Sequence, residues 1–440
     1  MKRPSVALSA LWQYPEPTTV RLDSGLEVWH FPMSGQHIAT FELVLPAPLS
    51  GEPPGKEGVA TVALHAMDEG TLTHPDGRIG ELLEEEGATL HGTARYRYTT
   101  FGAQTPSRRL RHVLPMFAEV LSEPAYATRD VEHHIEAQVA SFESQLVSPG
   151  SAMRLALRRA LFGSDHREGR PSGGTPDTLN ALSHQDAASW HREKFTPARA
   201  RLVVAGAVDI DEIVTSIGDW RGEAPESAPA AVVPRQPRRI LVVDHPGSVQ
   251  ATAMLATRTI SRDDPSWPAL RLAGHSLAGA FASRLNLELR ERLGYTYGIS
   301  GGFSPGVAEG QFSVSGSFRT EVASDAISRL LDGVALARDF TAAEIEDARK
   351  FLIGVAPLAN ETSADIVAQG SALAAAGIDP SYLNEHFAKL ASVSAAAATT
   401  AFRAAVAPAR CSVAIAGDAE ALVPQLAAIG LTAEVIDLAR

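Results

Sequence analysis

A chain of 440 residues, 45% hydrophobic and 20% charged, has the composition of a soluble globular protein and enough length for two or more domains. Its net charge of −12 argues against nucleic acid as the main partner, because phosphate binding rewards clustered Lys and Arg. The single cysteine, Cys411, makes no intrachain disulfide, which fits a reducing compartment, and a cytoplasmic location is expected.

The opening MKRPSVALSALWQYPEP carries two basic residues but no sustained apolar core before Trp12, so it does not read as a signal peptide. Residues 19–31 and 39–45 are strand-like, and 58–67 reads as a helix. A second helix covers 79–86, its Glu84, Glu85 and Glu86 forming a solvated end before Gly87. Residues 87–103 alternate in the manner of strands, whereas 108–121 and the long stretch 129–162 have helical apolar spacing. Past the middle of the chain, 239–243 and 251–257 are strands and 268–292 is helical. Residues 297–303 and 310–318 then make a hairpin around 304–309, and helices dominate to Val406. No apolar run reaches the length of a membrane span; that at 342–358, for example, carries Glu344, Glu346, Asp347, Arg349 and Lys350.

An internal repeat organises these elements. Residues 197–209 read PARARLVVAGAVD and 408–419 read PARCSVAIAGDA, an offset of 211 residues, close to half the chain. Between them, GEAPESAPAAVVPRQP from Gly222 resists both helix and sheet. The expected layout is therefore a domain over 1–222, a linker over 223–237 and a homologous domain over 238–440. The fold class is α+β, each half a mostly antiparallel sheet with helices on one face.

Residues 58–71, GVATVALHAMDEGT, carry the most specific signal. They resemble the active-site helix of the pitrilysin/insulinase-like zinc metallopeptidases, where a glycine and a short apolar run lead into H-x-x-E-H. That inverted motif puts two His ligands one turn apart, with a Glu beside them to activate water. Here the first His position is Thr61, the Glu position is Leu64, and only the second His survives, as His65. Gly58, Ala60, Gly70 and Thr71 keep the family frame. The resemblance also implies a third ligand, a Glu on the helix over 129–146. Counting back from Pro149 puts it at Ser141 or Phe142, and Glu143 is turned roughly 100 to 200 degrees away. Two ligands and the general base are missing.

A second resemblance lies at 281–300, FASRLNLELRERLGYTYGIS, similar to the family's F-x-S-R-L, L-R-E and Gly-aromatic run. In the family, an Arg and a Tyr seven residues apart hold the substrate backbone and the carbonyl under attack. Arg290 and Tyr297 stand at that spacing, and a guanidinium and a phenol can stabilise an oxyanion. Outside the resemblance, these residues read as a solvated helix face and a strand start. His65 alone reads as an ordinary packed or surface histidine, and the adjacent His133 and His134, beside Glu132 and Glu136, point about 100 degrees apart and make poor co-ligands.

Taken with the whole-chain resemblance, which implies two halves arranged as a clamshell around a peptide chamber, the expectation is a non-catalytic subunit of a heterodimeric zinc peptidase. No metal or cofactor is expected in this chain. Zinc is expected in a homologous partner with an intact motif, the substrates are unfolded peptides, and the strand region 92–101 is the expected peptide edge. A different class remains open, a structural or peptide-binding assembly subunit that has no reason to keep Arg290 and Tyr297. A stand-alone hydrolase with His65, Asp68 and Glu69 as its metal set is a third reading.

Overall fold

A computed structural model describes residues 11–223 and 233–438; the leader expectation for 1–10 and the middle of the expected linker, 224–232, lie outside them. Among the described residues, twelve strands form two six-stranded sheets. The first contains β1 (Thr18–Arg21), β2 (Glu27–Pro32), β3 (Ile38–Leu45), β4 (Thr89–Ala94), β5 (Thr99–Pro106) and β6 (Arg201–Gly206), in the order β1-β2-β6-β3-β5-β4. The second contains β7 (Ile240–Asp244), β8 (Gln250–Arg258), β9 (Ile299–Ser304), β10 (Gln311–Arg319), β11 (Ser412–Gly417) and β12 (Glu434–Ile436), in the order β12-β7-β11-β8-β10-β9.

The repeat seen in the sequence becomes structural here. β6 and β11, the two copies of the apolar strand, each pair in parallel with one strand of their sheet (β2 and β7) and antiparallel with another (β3 and β8). Most other neighbours are antiparallel, so both sheets are α+β layers of the expected kind.

One face of each sheet is covered by helices of its own half. In the first, Val59–His65, Leu110–Ser122 and His184–Lys194 bury Val62, Val113, Phe117 and Trp190 on Phe41, Leu43 and Phe101. In the second, Trp267–Gly274 and Ala323–Ala335 bury Leu270, Ile327 and Leu330 on Leu255, Phe312 and Val314.

The other face departs from expectation, because it is covered as well, and by the opposite half. The helix Ser363–Ala376 lies on β3 and β6, where Ile366, Val367 and Leu373 bury Phe31, Val44 and Val203. Gly370 permits the close approach; a Cβ there would come within 2.7 Å of Val203 Cγ1. Hydrogen bonds from the Tyr14 hydroxyl to the Ile366 carbonyl (2.7 Å) and from Arg201 to the Ala374 carbonyl (2.7 Å) fix the register. Reciprocally, the helix Pro149–Phe162 lies on the second sheet. Ala152, Ala156 and Ala160 recur at one-turn spacing, and with Met153, Leu157 and Leu161 they bury Leu241, Val243 and Ala414. The long helix expected over 129–162 is broken to make this exchange possible, since Thr128–Val147 ends at Ser148 and Pro149 starts the next helix. Among the described residues no single helix is long and apolar enough to cross a membrane.

Candidate functional site

The helix Val59–His65 begins where the motif predicts, with Gly58 at its N-cap at φ 104°. Only glycine suits this position, because a Cβ would also come within 2.6 Å of the Gly173 carbonyl oxygen. The first turn is anchored by a residue the motif does not flag. Glu52, buried at 8% exposure, accepts hydrogen bonds from the backbone N–H of Gly58 (3.0 Å) and of Ala60 (3.1 Å), and Arg167 donates to its other oxygen at 2.7 Å. Burial pushes the Glu52 pKa up, against the pull of Arg167 and the two N–H groups.

On this frame only His65 of the motif positions can coordinate zinc; Thr61 and Leu64 stand where the first His and the general base would be. Leu64 is buried at 3% exposure and packs on the edge strand: a Cβ on Gly92 of β4 would lie 3.0 Å from Leu64 Cδ1. Thr61 is half-buried and His65 projects, exposed, from the helix end. The His65 ring stacks near His134 of helix Thr128–Val147, with centroids 6.3 Å apart and planes at 24°. His134 is engaged through Nε2 with Glu69 Oε1 at 2.8 Å.

The ring on helix Thr128–Val147 that lies near His65 is that of His134; Ser141 and Phe142 are the positions expected for the third ligand. Those residues lie about two turns further along, Ser141 exposed and Phe142 buried. No three His, Cys, Asp or Glu side chains among the described residues converge closely enough to hold a metal ion, so neither His65 with Asp68 and Glu69 nor the His133/His134 group makes a site. Zinc, which the resemblance implies for the family, does not fit the residues of this chain.

In the second half, the expected helix 268–292 is broken twice. Trp267–Gly274 runs into the π-helical turn His275–Gly279, the chain bends, and after Arg284–Asn286 a second π turn covers Leu287–Arg292. Such turns shift the helical register by one residue and recur at functional sites. Arg290 sits on the second. Its guanidinium lies 3.4 Å from the centroid of the Phe281 ring, and its Nε donates to Glu291 Oε1 at 2.8 Å. Its side chain is 15% exposed.

Tyr297 is not on a strand, as the hairpin expectation had it; β9 starts at Ile299. The ring is 99% exposed and, among the described residues, has no hydrogen bond. A cavity of about 450 Å³ lies beside it, lined by Gln250, Ser300 and Ser315 among others.

The loop that carries Tyr297 is held by Asn286, a residue the motif reading left unmarked. Buried at 4% exposure, its Nδ2 donates to the carbonyls of Ala280 (3.0 Å) and Ile299 (2.9 Å), and its Oδ1 accepts from the Ile299 N–H at 2.7 Å. The Tyr295 hydroxyl donates to Asp325, which Arg329 also holds. Phe281 and Asn286 both stand inside the quoted motif, so its letters contained them; only their contacts reveal what they do.

The structure brings Thr61, Leu64 and His65 together on one helix and Arg290 and Tyr297 near one loop. Among the described residues no hydrogen bond, ion pair or ring contact joins the two groups.

Comparison with known proteins identifies the class. The model described as "Insulinase (Peptidase family M16)" matches residues 34–166, and that described as "Peptidase M16 inactive domain" matches 181–352, together more than two thirds of the chain. The chain belongs to the M16 peptidase family. It is 27% identical over 248 residues to an uncharacterised zinc protease of Mycobacterium leprae, covering 55% of this chain and 56% of that one. It is 24% identical over 289 residues to an uncharacterised zinc protease of Streptomyces coelicolor, covering 63% and 62%. These matches thus span little more than half the length of either relative. The crystal structure of a peptidase M16 inactive domain from Pseudomonas fluorescens superposes with a TM-score of 0.85 at 24% identity, covering 91% of this chain and 98% of that one.

Proposed function

We propose that this chain is a non-catalytic subunit of a zinc-dependent peptidase, paired with a homologous chain that carries an intact H-x-x-E-H. The observation that carries the reading is Leu64: the general-base position holds an apolar side chain packed on β4, inside an otherwise preserved helix frame. Its contribution to catalysis is Arg290 and Tyr297, which polarise the scissile carbonyl at the partner's metal once the two chains close. The exposed Tyr297 phenol on a braced loop supports this role. Unfolded peptides are the substrates, adding as a strand to an open edge such as β4, which bears Gly92. Phe101 lies one strand inward on β5, so the edge is narrower than the 92–101 region expected from sequence. A cytoplasmic setting belongs to the same proposal.

The alternative, a structural or peptide-binding subunit with no catalytic share, draws on Arg290, whose guanidinium is already engaged by Phe281 and Glu291.

The test is reconstitution with a homologous chain bearing the intact motif, scored by cleavage of unstructured peptides and by complex size. Activity is expected from the pair and not from this chain alone. Tyr297→Phe should leave the complex intact and slow turnover about a hundred- to a thousand-fold, the cost of one oxyanion donor. Arg290→Ala should slow it further. Full activity in both variants within an intact complex retires the catalytic share and leaves the structural reading.

A further inference from the structure

A cavity of about 590 Å³ lies in the first half, between helices Thr128–Val147 and Pro149–Phe162 and the loops that follow them. It is within the size range of cavities that take a small molecule. A group of ion pairs lies next to it, of which Arg170 lines the cavity. Arg167 pairs with Glu52 at 2.7 Å, Arg97 with Glu168 at 2.6 Å, and Arg170 with Glu57. Three guanidiniums therefore meet three carboxylates.

A fourth guanidinium, that of Arg158, lines the cavity and has no ion pair among the described residues. It lies 3.5 Å from the centroid of the Tyr96 ring and 4.9 Å from that of Phe162, and its Nε is buried without a hydrogen-bond acceptor. Tyr96 is fixed in turn, its hydroxyl donating to the Arg170 carbonyl at 2.6 Å. Tyr96 orients the cation, and Glu168 attracts it but is already paired with Arg97, so the half-buried guanidinium keeps donors that no carboxylate of its own takes up. Burial accordingly holds the Arg158 pKa below the usual value. Arg159 and Arg170, also in the lining, already have partners.

Phe142, Leu146, Leu155 and Leu438 form the apolar part of the wall, with Ser164 and Thr175 also in the lining. Glu143 and Asp177, both exposed, add negative charge to the lining and disfavour ligands with several charges, such as polyphosphates. We propose that this cavity binds a small amphiphilic monocarboxylate, its carboxylate on Arg158 and its hydrocarbon body against the four apolar side chains. The site is separate from the Arg290/Tyr297 loop and does not depend on the peptidase reading.

Calorimetric titration of the full chain with sodium decanoate tests it, with decanol as the uncharged counterpart. Saturable one-to-one binding of decanoate is expected, weakened about tenfold or more in Arg158→Met and for decanol, as loss of a charged hydrogen bond implies. No saturable decanoate binding at millimolar concentration overturns the proposal, and so does equal binding by wild type and Arg158→Met, or equal binding of decanol and decanoate. Should Arg158→Met fail to fold, Leu155→Trp fills the cavity and leaves the guanidinium in place. Undiminished decanoate binding by that variant also overturns the site.

Discussion

Leu64 stands where the family motif has its general base. Its side chain is part of the contact between the helix Val59–His65 and β4, so a carboxylate at this position would be buried against Gly92. Thr61→His with Leu64→Glu should therefore lower stability by about 2 to 4 kcal/mol, the usual cost of losing a buried leucine, measured by denaturant unfolding. It should also fail to hold stoichiometric zinc or to cleave peptides, because no third carboxylate stands opposite His65. Chelator-sensitive proteolysis by the double variant would show that a third ligand is within reach after all. The losses at 61 and 64 were legible in the sequence because H-x-x-E-H is local, its spacing set by one turn of helix. His134 was not, because its place opposite His65 depends on how two distant helices pack, and no local period encodes that.

The segment from Trp267 to Ile299 is where element-level reading failed most. Apolar spacing suggested one helix over 268–292, yet the chain takes two π turns and a bend. The cause is tertiary. Helix and β9 approach closely where the chain turns, and a Cβ on Gly279 would lie 3.2 Å from the Gly301 carbonyl oxygen. Periodicity registers which residues are apolar and is silent about a one-residue register shift. Asn286 is what turns the bend into a fixed platform. Asn286→Ala leaves the Ile299 N–H and carbonyl without their buried partners and should cost about 2 to 3 kcal/mol. Hydrogen exchange across residues 295–299 should accelerate while β10 stays protected. Unchanged protection of that loop would mean that Asn286 does not brace it.

At the scale of the whole molecule, stability should depend on pH through two buried neutral histidines. Burial pushes His191, which bonds the Leu121 carbonyl, from 6.5 down to about 4. Burial and then Arg271, 3.1 Å from Nε2, bring His386 to about 3. In both, the folded pKa lies below the unfolded one. Their contribution is complete above pH 6.5 and is lost as pH falls through the folded values, because the unfolded chain binds the protons first. At about 1.4 kcal/mol per pH unit, His191 alone accounts for roughly 3 kcal/mol between pH 6.5 and about 4. His191→Gln should flatten that slope in unfolding free energies measured from pH 7.5 to 4.5, and an unchanged slope would exclude His191 as its source. The two-sheet plan was legible from the PAR-strand repeat, whose copies became β6 and β11. The exchange of helices between halves was not, because an amphipathic pattern says that a helix has an apolar face and not which sheet will receive it.

That exchange also sets the order in which the chain can be finished as it leaves the ribosome. The last strand of the first sheet ends at Gly206, but the helix that covers its outer face ends at Ala376, 170 residues later. At the usual 5 to 20 residues per second, Phe31, Val44 and Val203 wait roughly ten to thirty seconds for their cover. A chain stopped near residue 350 should hold the first sheet with one bare apolar side, bind a hydrophobic dye strongly and recruit holding chaperones, whereas the full 440-residue chain, with the second sheet and both exchanged helices in place, should do neither. Equal dye binding by the two lengths would mean that the first sheet does not form before its distant helix arrives.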